Sequence, residues 1–429
     1  MFSIHAGTIV LPEVASGPGM FPSLLVFIGM FKHFNTQFLF SLLQIFFIKG
    51  VYIVNVLSGI VIGELSIQQY ENSKSPETSV GSFKALAEGM LDSEAGGIAI
   101  GWISIIINWC ILAFGLKRAG SLVQPCLTYF SSFFPSLDLN VIVGVIATFL
   151  ASLVFIQSEN ELSHIASKAG TVLSASFIAV LVSGLMSMQE NPMFIPGTES
   201  NTISAVCYAA PIFLTAMVYQ NIVPIVAKLV DYDRFKLNSS LILGSGLPLM
   251  MYLGYCLATL GGGISLDASS STSTLGAYVP LLLNVFFYSA VIASTIACSI
   301  SLCEEFQSLL ASKDEIDPPQ LNDPDIFTLS LPDDSNTSIS DKLQSTVYAI
   351  FPPFVAVALF SHSDTFKDAL SFAGSYFSPI LYGILPVLLA TKLGPDTNIP
   401  GGKGTLAILG VSTIVFMGLQ LANDIGISM

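Results

Sequence analysis

The chain has 429 residues, of which 52% are hydrophobic and only 10% are charged. Soluble domains carry about 25% charged residues, so this composition excludes a water-soluble protein and predicts a single polytopic membrane domain. The net charge of −14 comes largely from one acidic loop, and it excludes a nucleic-acid partner, which would need basic patches.

The first apolar run extends from Ile4 to about Ala15 and contains small residues followed by Pro12. Small residues and a proline inside an apolar run predict a helix break, which must face protein or a water-filled cavity because lipid cannot satisfy free backbone groups. The run is shorter than the roughly 20 residues that span a bilayer, so we expect the first half of this helix to be missing from the chain.

The second apolar run, Phe21 to Leu65, is about twice as long as one spanning helix. Joining Phe31 directly to Val51 would give one helix of ordinary length. This predicts that Lys32 to Gly50 is an insertion without a net membrane crossing. This insertion could be a translated intron or a genuine extra segment, and the sequence leaves both origins open.

The later runs predict the remaining helices. Helix 3 is predicted at Gly96 to Gly115, or to Leu127 if it continues through Lys117 and Arg118, helix 4 at Leu139 to Ile156, helix 5 at Ala169 to Met188, helix 7 at Ser239 to Leu260, helix 8 at Tyr278 to Leu310, helix 9 at Gln344 to Ser361, helix 10 at Phe366 to Thr391 and helix 11 at Thr405 to Leu421. An acidic loop, residues 312–341, separates helices 8 and 9.

Positive charges predict the orientation of these helices. With the N-terminus in the cytoplasm, ten lysines and arginines fall on the inner side and three on the outer side. This is the bias of the positive-inside rule, so we predict a multi-pass protein with a cytoplasmic N-terminus. The same bias does not distinguish the plasma membrane from an organelle membrane.

The sixth run, Asn201 to Lys236, places amide groups and a proline in an otherwise apolar stretch. Tyr219, Gln220 and Asn221 are followed by Pro224. A proline inside a helix removes one backbone donor and clashes with the preceding turn, and a polar break at mid-membrane is typical of a transporter's binding site. The alternative is a proline kink whose amides are satisfied by neighbouring helices. Both interpretations stay open.

Other polar residues in the apolar runs are candidates for the same site or for a coupling ion. Asn108 on helix 3 is a lone amide, for which an interhelical hydrogen bond is the favoured interpretation. Ser294 and Thr295 on helix 8 could coordinate an ion, although bonding to a carbonyl of their own helix is favoured. Glu64 and Lys168 are ionisable candidates that both lie near cytoplasmic helix ends, and Lys168 is better explained as a lysine that reaches the membrane interface.

Three stretches occur in order along the chain. They are AGTIVLPEVASGPGMFPSLL at Ala6 to Leu25, SGIVIGEL at Ser58 to Leu65, and VYQNIVPIVAKLVDYDRFKLNSSLILGSGLPLMMYL at Val218 to Leu253. Together they resemble the aromatic amino acid permease family, the tyrosine/tryptophan permeases of the amino acid–polyamine–organocation superfamily. The chain departs from the family in its short first helix and in His5, which stands where small residues are expected.

The resemblance implies an all-α integral membrane fold of about eleven transmembrane helices, with the leucine-transporter-type five-plus-five inverted repeat. Residues 1–188 would form the first repeat, residues 201–392 the second, and residues 404–422 an extra helix 11. Helices 1 and 6 would be the broken pair. Breaks in corresponding places of the two halves are the arrangement expected for a binding site at the bilayer midplane.

The resemblance also implies symport of an aromatic amino acid with a proton, by alternating access and without a cofactor, sodium being the less favoured ion. A broken helix offers free N–H groups for the substrate carboxylate and free carbonyls for its ammonium group. The predicted substrate-binding residues are Ala6, Gly7, Thr8, Tyr219, Gln220, Asn221 and Asn108. For the small residues of helix 1, close helix packing is the alternative interpretation.

Other function classes are less well supported by the sequence. Another neutral amino acid is the alternative substrate. A membrane enzyme is disfavoured because the sequence has no paired catalytic carboxylates, no histidine-rich cluster and no metal-type cysteine spacing. A channel is disfavoured because no repeated pore motif occurs. The expected partners are a small-molecule amino acid and the lipid bilayer, and the oligomeric state is not predicted.

Overall fold

The computed structural model describes residues 36–72, 81–91, 93–129, 138–190, 218–256, 279–311, 339–360, 363–393 and 399–425. Within these ranges the chain is helical and contains no strand. Helices are what lipid requires, because each backbone donor and acceptor in the hydrocarbon must be satisfied within its own segment. The predicted all-α architecture is therefore confirmed for the described part of the chain.

The described part of the first half of the chain contains five helices. They are α1 (Thr36–Asn72), α2 (Phe83–Leu91), α3 (Glu94–Tyr129), α4 (Leu139–Ile156) and α5 (Glu159–Glu190). The helix α2 is a short connection between α1 and α3, and its apolar side chains are buried against them. The bounds of α4 are those predicted for helix 4.

In the second half of the chain, the first described element is a short 3-10 turn at Gln220–Ile222. The helices that follow are α6 (Val223–Leu229), α7 (Arg234–Cys256), α8 (Val279–Ala311), α9 (Ile339–Leu359), α10 (Ser363–Phe372), α11 (Leu385–Leu393) and α12 (Gly402–Asp424). Two π-helical turns, Ala373–Phe377 and Ile380–Ile384, connect α10 to α11.

Seven helical spans in the described ranges are long and apolar enough to cross a bilayer. Their burial separates them into two groups. The spans in α3, α8 and α10–α11 are 56%, 67% and 61% buried, whereas those in α4, α5, α9 and α12 are 33% buried or less. The first group therefore forms the centre of the molecule. The second group directs large apolar side chains such as Phe149 outward, where lipid would cover them.

Several predicted helix starts lie later in the chain than the observed ones. The helices α7 and α9 begin at Arg234 and Ile339, where Ser239 and Gln344 were predicted, and the largest difference is in α5. The helix α5 begins at Glu159, ahead of the predicted start at Ala169, so Lys168 lies inside the helix and not at its start. Hydropathy marks only the apolar part of a helix, whereas the backbone hydrogen bonds continue through its polar end. The helix α1 continues through Gly50, where the predicted insertion ends, because one glycine costs about 1 kcal/mol in a helix and need not end it. The insertion of residues 32–50 stays a prediction.

Candidate functional site

The helix break predicted around Pro224 is a helix start in the structure. Tyr219 has backbone angles of φ −132° and ψ −3°, outside the helical region, and the 3-10 turn Gln220–Ile222 then leads into α6. Pro224 lies in the first turn of α6. A proline is tolerated there because the N–H that it lacks would have no partner within the helix. Residues 201–217, which precede this turn, lie outside the described ranges.

The side chain of Gln220 connects this turn to α1. Gln220 is fully buried, and its Nε2 donates to Asn55 Oδ1 at 2.8 Å and to the Asn55 carbonyl oxygen at 3.2 Å. Its Oε1 accepts the backbone N–H of Tyr219 at 2.9 Å. The Tyr219 hydroxyl donates to the same Asn55 carbonyl at 3.3 Å, and its ring fills the space that a side chain at Gly59 would need.

The side chain and backbone of Asn221 connect the turn to α3 and α8. Its Nδ2 donates to Asn108 Oδ1 at 2.6 Å, and Asn108 Nδ2 donates to the carbonyl oxygen of Ser104 at 3.0 Å. The carbonyl oxygen of Asn221 accepts the hydroxyl of Ser301 at 3.3 Å. Asn108 is fully buried and Asn221 nearly so, which places both amides deep in the molecule.

The structure thus brings together four of the predicted substrate-binding candidates, Tyr219, Gln220, Asn221 and Asn108, and their role in binding stays a prediction. Their amide side chains are satisfied by neighbouring helices, which is also what the alternative interpretation requires. The structure adds Asn55, whose Nδ2 is buried without a hydrogen-bond partner among the described residues. The candidates Ala6, Gly7 and Thr8 lie outside the described ranges.

The candidates for ion coupling are not gathered at one place. Ser294 and Thr295 both donate to the carbonyl oxygen of Val291 within α8, at 3.1 and 2.8 Å. Lys168 is exposed on α5. Glu64 is buried on α1, beyond the residues that contact Gln220. For Ser294 and Thr295 the favoured alternative, bonding to their own helix, is what the structure shows.

Glu64 belongs to a charged cluster that joins the end of α1 to the start of α7. Arg234 Nε lies 3.2 Å from both carboxylate oxygens of Glu64, and Arg234 Nη2 lies 2.8 Å from Glu71. The rings of Tyr70 and Tyr232 stack beside this cluster, with centroids 4.0 Å apart and planes at 8°. We call the surface formed by Glu64, Tyr70, Glu71, Tyr232 and Arg234 the charged end. It lies on the side predicted to be cytoplasmic.

Comparison with known families gives one match over almost the whole chain. The model of the tryptophan/tyrosine permease family matches residues 2–420. No curated protein sequence matches the chain.

The solved structures that resemble the described fold include the following two. One is a manganese transporter from Eremococcus coleocola in complex with an aromatic bis-isothiourea substituted compound, with a TM-score of 0.51 and 14% identity over 99% of this chain and 88% of that chain. The other is MhsT in complex with L-phenylalanine, with a TM-score of 0.51 and 13% identity over 97% of each chain. Both are transporters of the leucine-transporter fold, so the predicted fold is confirmed.

Proposed function

The chain belongs to the tryptophan/tyrosine permease family, and we propose that it moves aromatic amino acids across a membrane by proton symport. The family and the two transporters of the same fold indicate an amino acid transporter rather than an enzyme. The observation that best supports a substrate site is the buried turn at Gln220–Ile222, where Gln220 and Asn221 meet α1, α3 and α8.

The turn has the chemistry that an amino acid needs. The positive end of the backbone dipoles of the 3-10 turn and α6 lies at Gln220 and Asn221, and it favours a carboxylate there. Amide and carbonyl oxygens at Asn55, Asn108 and Asn221 are acceptors of the kind that bind an ammonium group. The proposed substrate-binding residues are Tyr219, Gln220, Asn221 and Asn108, together with Ala6, Gly7 and Thr8 of the first helix. Binding would exchange some of the present amide contacts for contacts with the substrate.

The aromatic class of the substrate is supported by the family and by one structural relative. MhsT binds L-phenylalanine, and it shares the fold of this chain at only 13% identity. The alternative substrate is another neutral amino acid, and a competition assay distinguishes the two classes of substrate. The proton as coupling ion is supported by the resemblance to the permease family, with Glu64, Lys168, Ser294 and Thr295 as the candidates from the sequence.

The proposal is tested by uptake of labelled tryptophan and tyrosine into proteoliposomes that contain the full chain. We expect saturable uptake that increases when the outside is made more acidic than the inside. Unlabelled tryptophan and tyrosine should compete strongly, and alanine or leucine weakly. Competition by small neutral amino acids alone would contradict the aromatic class, and the absence of uptake for every amino acid would contradict a transporter.

Replacing Ser294 and Thr295 together with alanine should change uptake by less than about twofold, because among the described residues both hydroxyls bond to carbonyl oxygens of their own helix, those of Val291 and Ile292. The measurement is initial uptake rate in proteoliposomes at matched protein density, with sodium and without it. A variant that folds normally but loses uptake more than about tenfold would instead support a coupling ion bound by these hydroxyls.

A further inference from the structure

The helix α8 carries a buried carboxyl group that the substrate site does not use. Glu305 is 1% exposed. Its Oε1 accepts the backbone N–H of Phe83 at 2.6 Å, and its Oε2 accepts that of Lys84 at 3.3 Å. These are the first residues of α2, so the carboxylate caps the start of that helix. An ionised carboxylate away from water is costly unless it is paired or hydrogen-bonded, and these two donors account for its burial.

Few charged or titratable groups among the described residues face Glu305. Lys84 approaches from α2, but its ammonium group is held by Glu88 and by the carbonyl oxygen of Ser308, each at 2.9 Å. Tyr382 approaches from the π-helical segment, and its hydroxyl is buried without a hydrogen-bond partner in the described ranges. From α3, Ser104 and Gly101 lie beside the carboxylate, and neither is titratable.

Polar side chains lead from Glu305 to the substrate site through an otherwise apolar core. Ser301 lies one turn before Glu305 on α8 and donates to the carbonyl oxygen of Asn221. Ser104 lies one turn before Asn108 on α3 and beside the Glu305 carboxylate. Residues four apart share one helix face, so Ser301–Glu305 and Ser104–Asn108 form two facing polar rows. These rows connect the 3-10 turn at Asn221 to the side of the molecule where Glu64 and Arg234 form the charged end.

We propose that Glu305 carries the proton that is coupled to amino acid transport, an inference that rests on the proposed symport. The proton arrives from the side of Asn221 and forms an O–H bond with the carboxylate. It leaves as a proton to water on the predicted cytoplasmic side. The neutral carboxyl group holds the two N–H groups of α2 less strongly than the carboxylate does, so proton binding and the docking of α2 are linked.

The decisive variant is Glu305→Gln, whose amide oxygen still accepts a hydrogen bond from α2 but whose side chain carries no proton. Glu304→Gln is the matched control. Glu304 is the neighbouring carboxylate on α8 and is partly exposed, and its Oε1 lies 3.9 Å from Lys228 Nζ. Each protein is assayed in proteoliposomes for two activities. One is accumulation of labelled tryptophan driven by an inward proton gradient, and the other is exchange of tryptophan at equal pH, which requires no net proton movement.

A pH difference of about one unit is a tenfold ratio of proton activity across the membrane, so it supports up to about tenfold accumulation of substrate per coupled proton. We expect this response in the wild type and in Glu304→Gln, and its loss in Glu305→Gln with exchange retained within about threefold. A gradient response in Glu305→Gln equal to that of the wild type would overturn the proposal. Equal loss of both activities in a folded Glu305→Gln protein would also overturn it, because the side chain would then only hold α2.

If Glu305→Gln does not fold, Glu305→Asp keeps a carboxyl group on a shorter side chain. The proposal then requires that the pH midpoint of transport shift relative to the wild type, and an unchanged midpoint overturns it. A wild-type protein that exchanges tryptophan without any gradient response would contradict proton symport itself. A different outcome is a wild type and a Glu305→Gln variant that both respond to the proton gradient. That outcome contradicts only the role of Glu305.

Discussion

Replacing Gln220 with alanine is expected to lower uptake by about a hundredfold. The Gln220 side chain donates to two oxygen atoms of Asn55 and accepts the N–H of Tyr219, all of them buried. Its removal leaves the Tyr219 N–H and the Asn55 side-chain oxygen unpaired, at about 1–3 kcal/mol each. Two such losses correspond to roughly a hundredfold in rate if the turn must keep this geometry during transport. The measurement is the initial rate of tryptophan uptake.

The same variant should be less stable, because a truncated buried side chain also leaves a cavity. Gln344→Ala is a matched control, since Gln344 is an exposed amide on α9 whose contact with Tyr348 is at the surface. We expect its uptake and its thermal unfolding in detergent to be close to those of the wild type. Normal uptake by Gln220→Ala would show that the contacts of this amide with α1 are not needed for transport.

The position of the turn could be predicted from sequence because its signal is local. An amide pair followed by a proline is conspicuous in an apolar run, and the physical cost of both in lipid indicates where the helix must start anew. The structure confirms that Tyr219, Gln220 and Asn221 precede the start of α6. The boundaries of α1 and α5 were less predictable, because hydropathy does not report where the polar turns of a helix begin.

The partners of these residues could not be predicted, because they come from distant parts of the chain. Gln220 binds Asn55 and Asn221 binds Asn108 across 165 and 113 residues. Asn55 does carry a local signal, since it is a lone amide in the apolar run before Glu64. Glu305 carries none beyond its charge. Its burial depends on the docking of α2, which a hydropathy pattern cannot show. In the sequence, Glu305 also stands close to the acidic loop, residues 312–341, so its charge does not single it out.

Replacing Arg234 with alanine is expected to destabilise the protein by about 1–3 kcal/mol. Arg234 is the partner of Glu64, whose side chain is only 4% exposed, so the variant leaves a buried carboxylate without its cation. Removing one partner of a fully buried ion pair costs about 3–5 kcal/mol. The effect here should be smaller, because the Arg234 side chain is 38% exposed and solvent screens its charge. Thermal unfolding in detergent measures the loss.

A second substitution distinguishes this explanation from a simple loss of contacts. If the unpaired charge of Glu64 is the cause, Glu64→Gln added to Arg234→Ala should restore at least about half of the lost stability, because a neutral amide is cheaper to bury. Glu71→Gln is the control, since the Glu71 side chain is 52% exposed and its pair with Arg234 should contribute less than about 1 kcal/mol. Gln68 Nε2 also donates to Glu64 Oε1 at 3.3 Å. A double variant less stable than Arg234→Ala would therefore mean that losing this bond costs more than burying the unpaired charge, and that Arg234 acts mainly by packing α7 against α1.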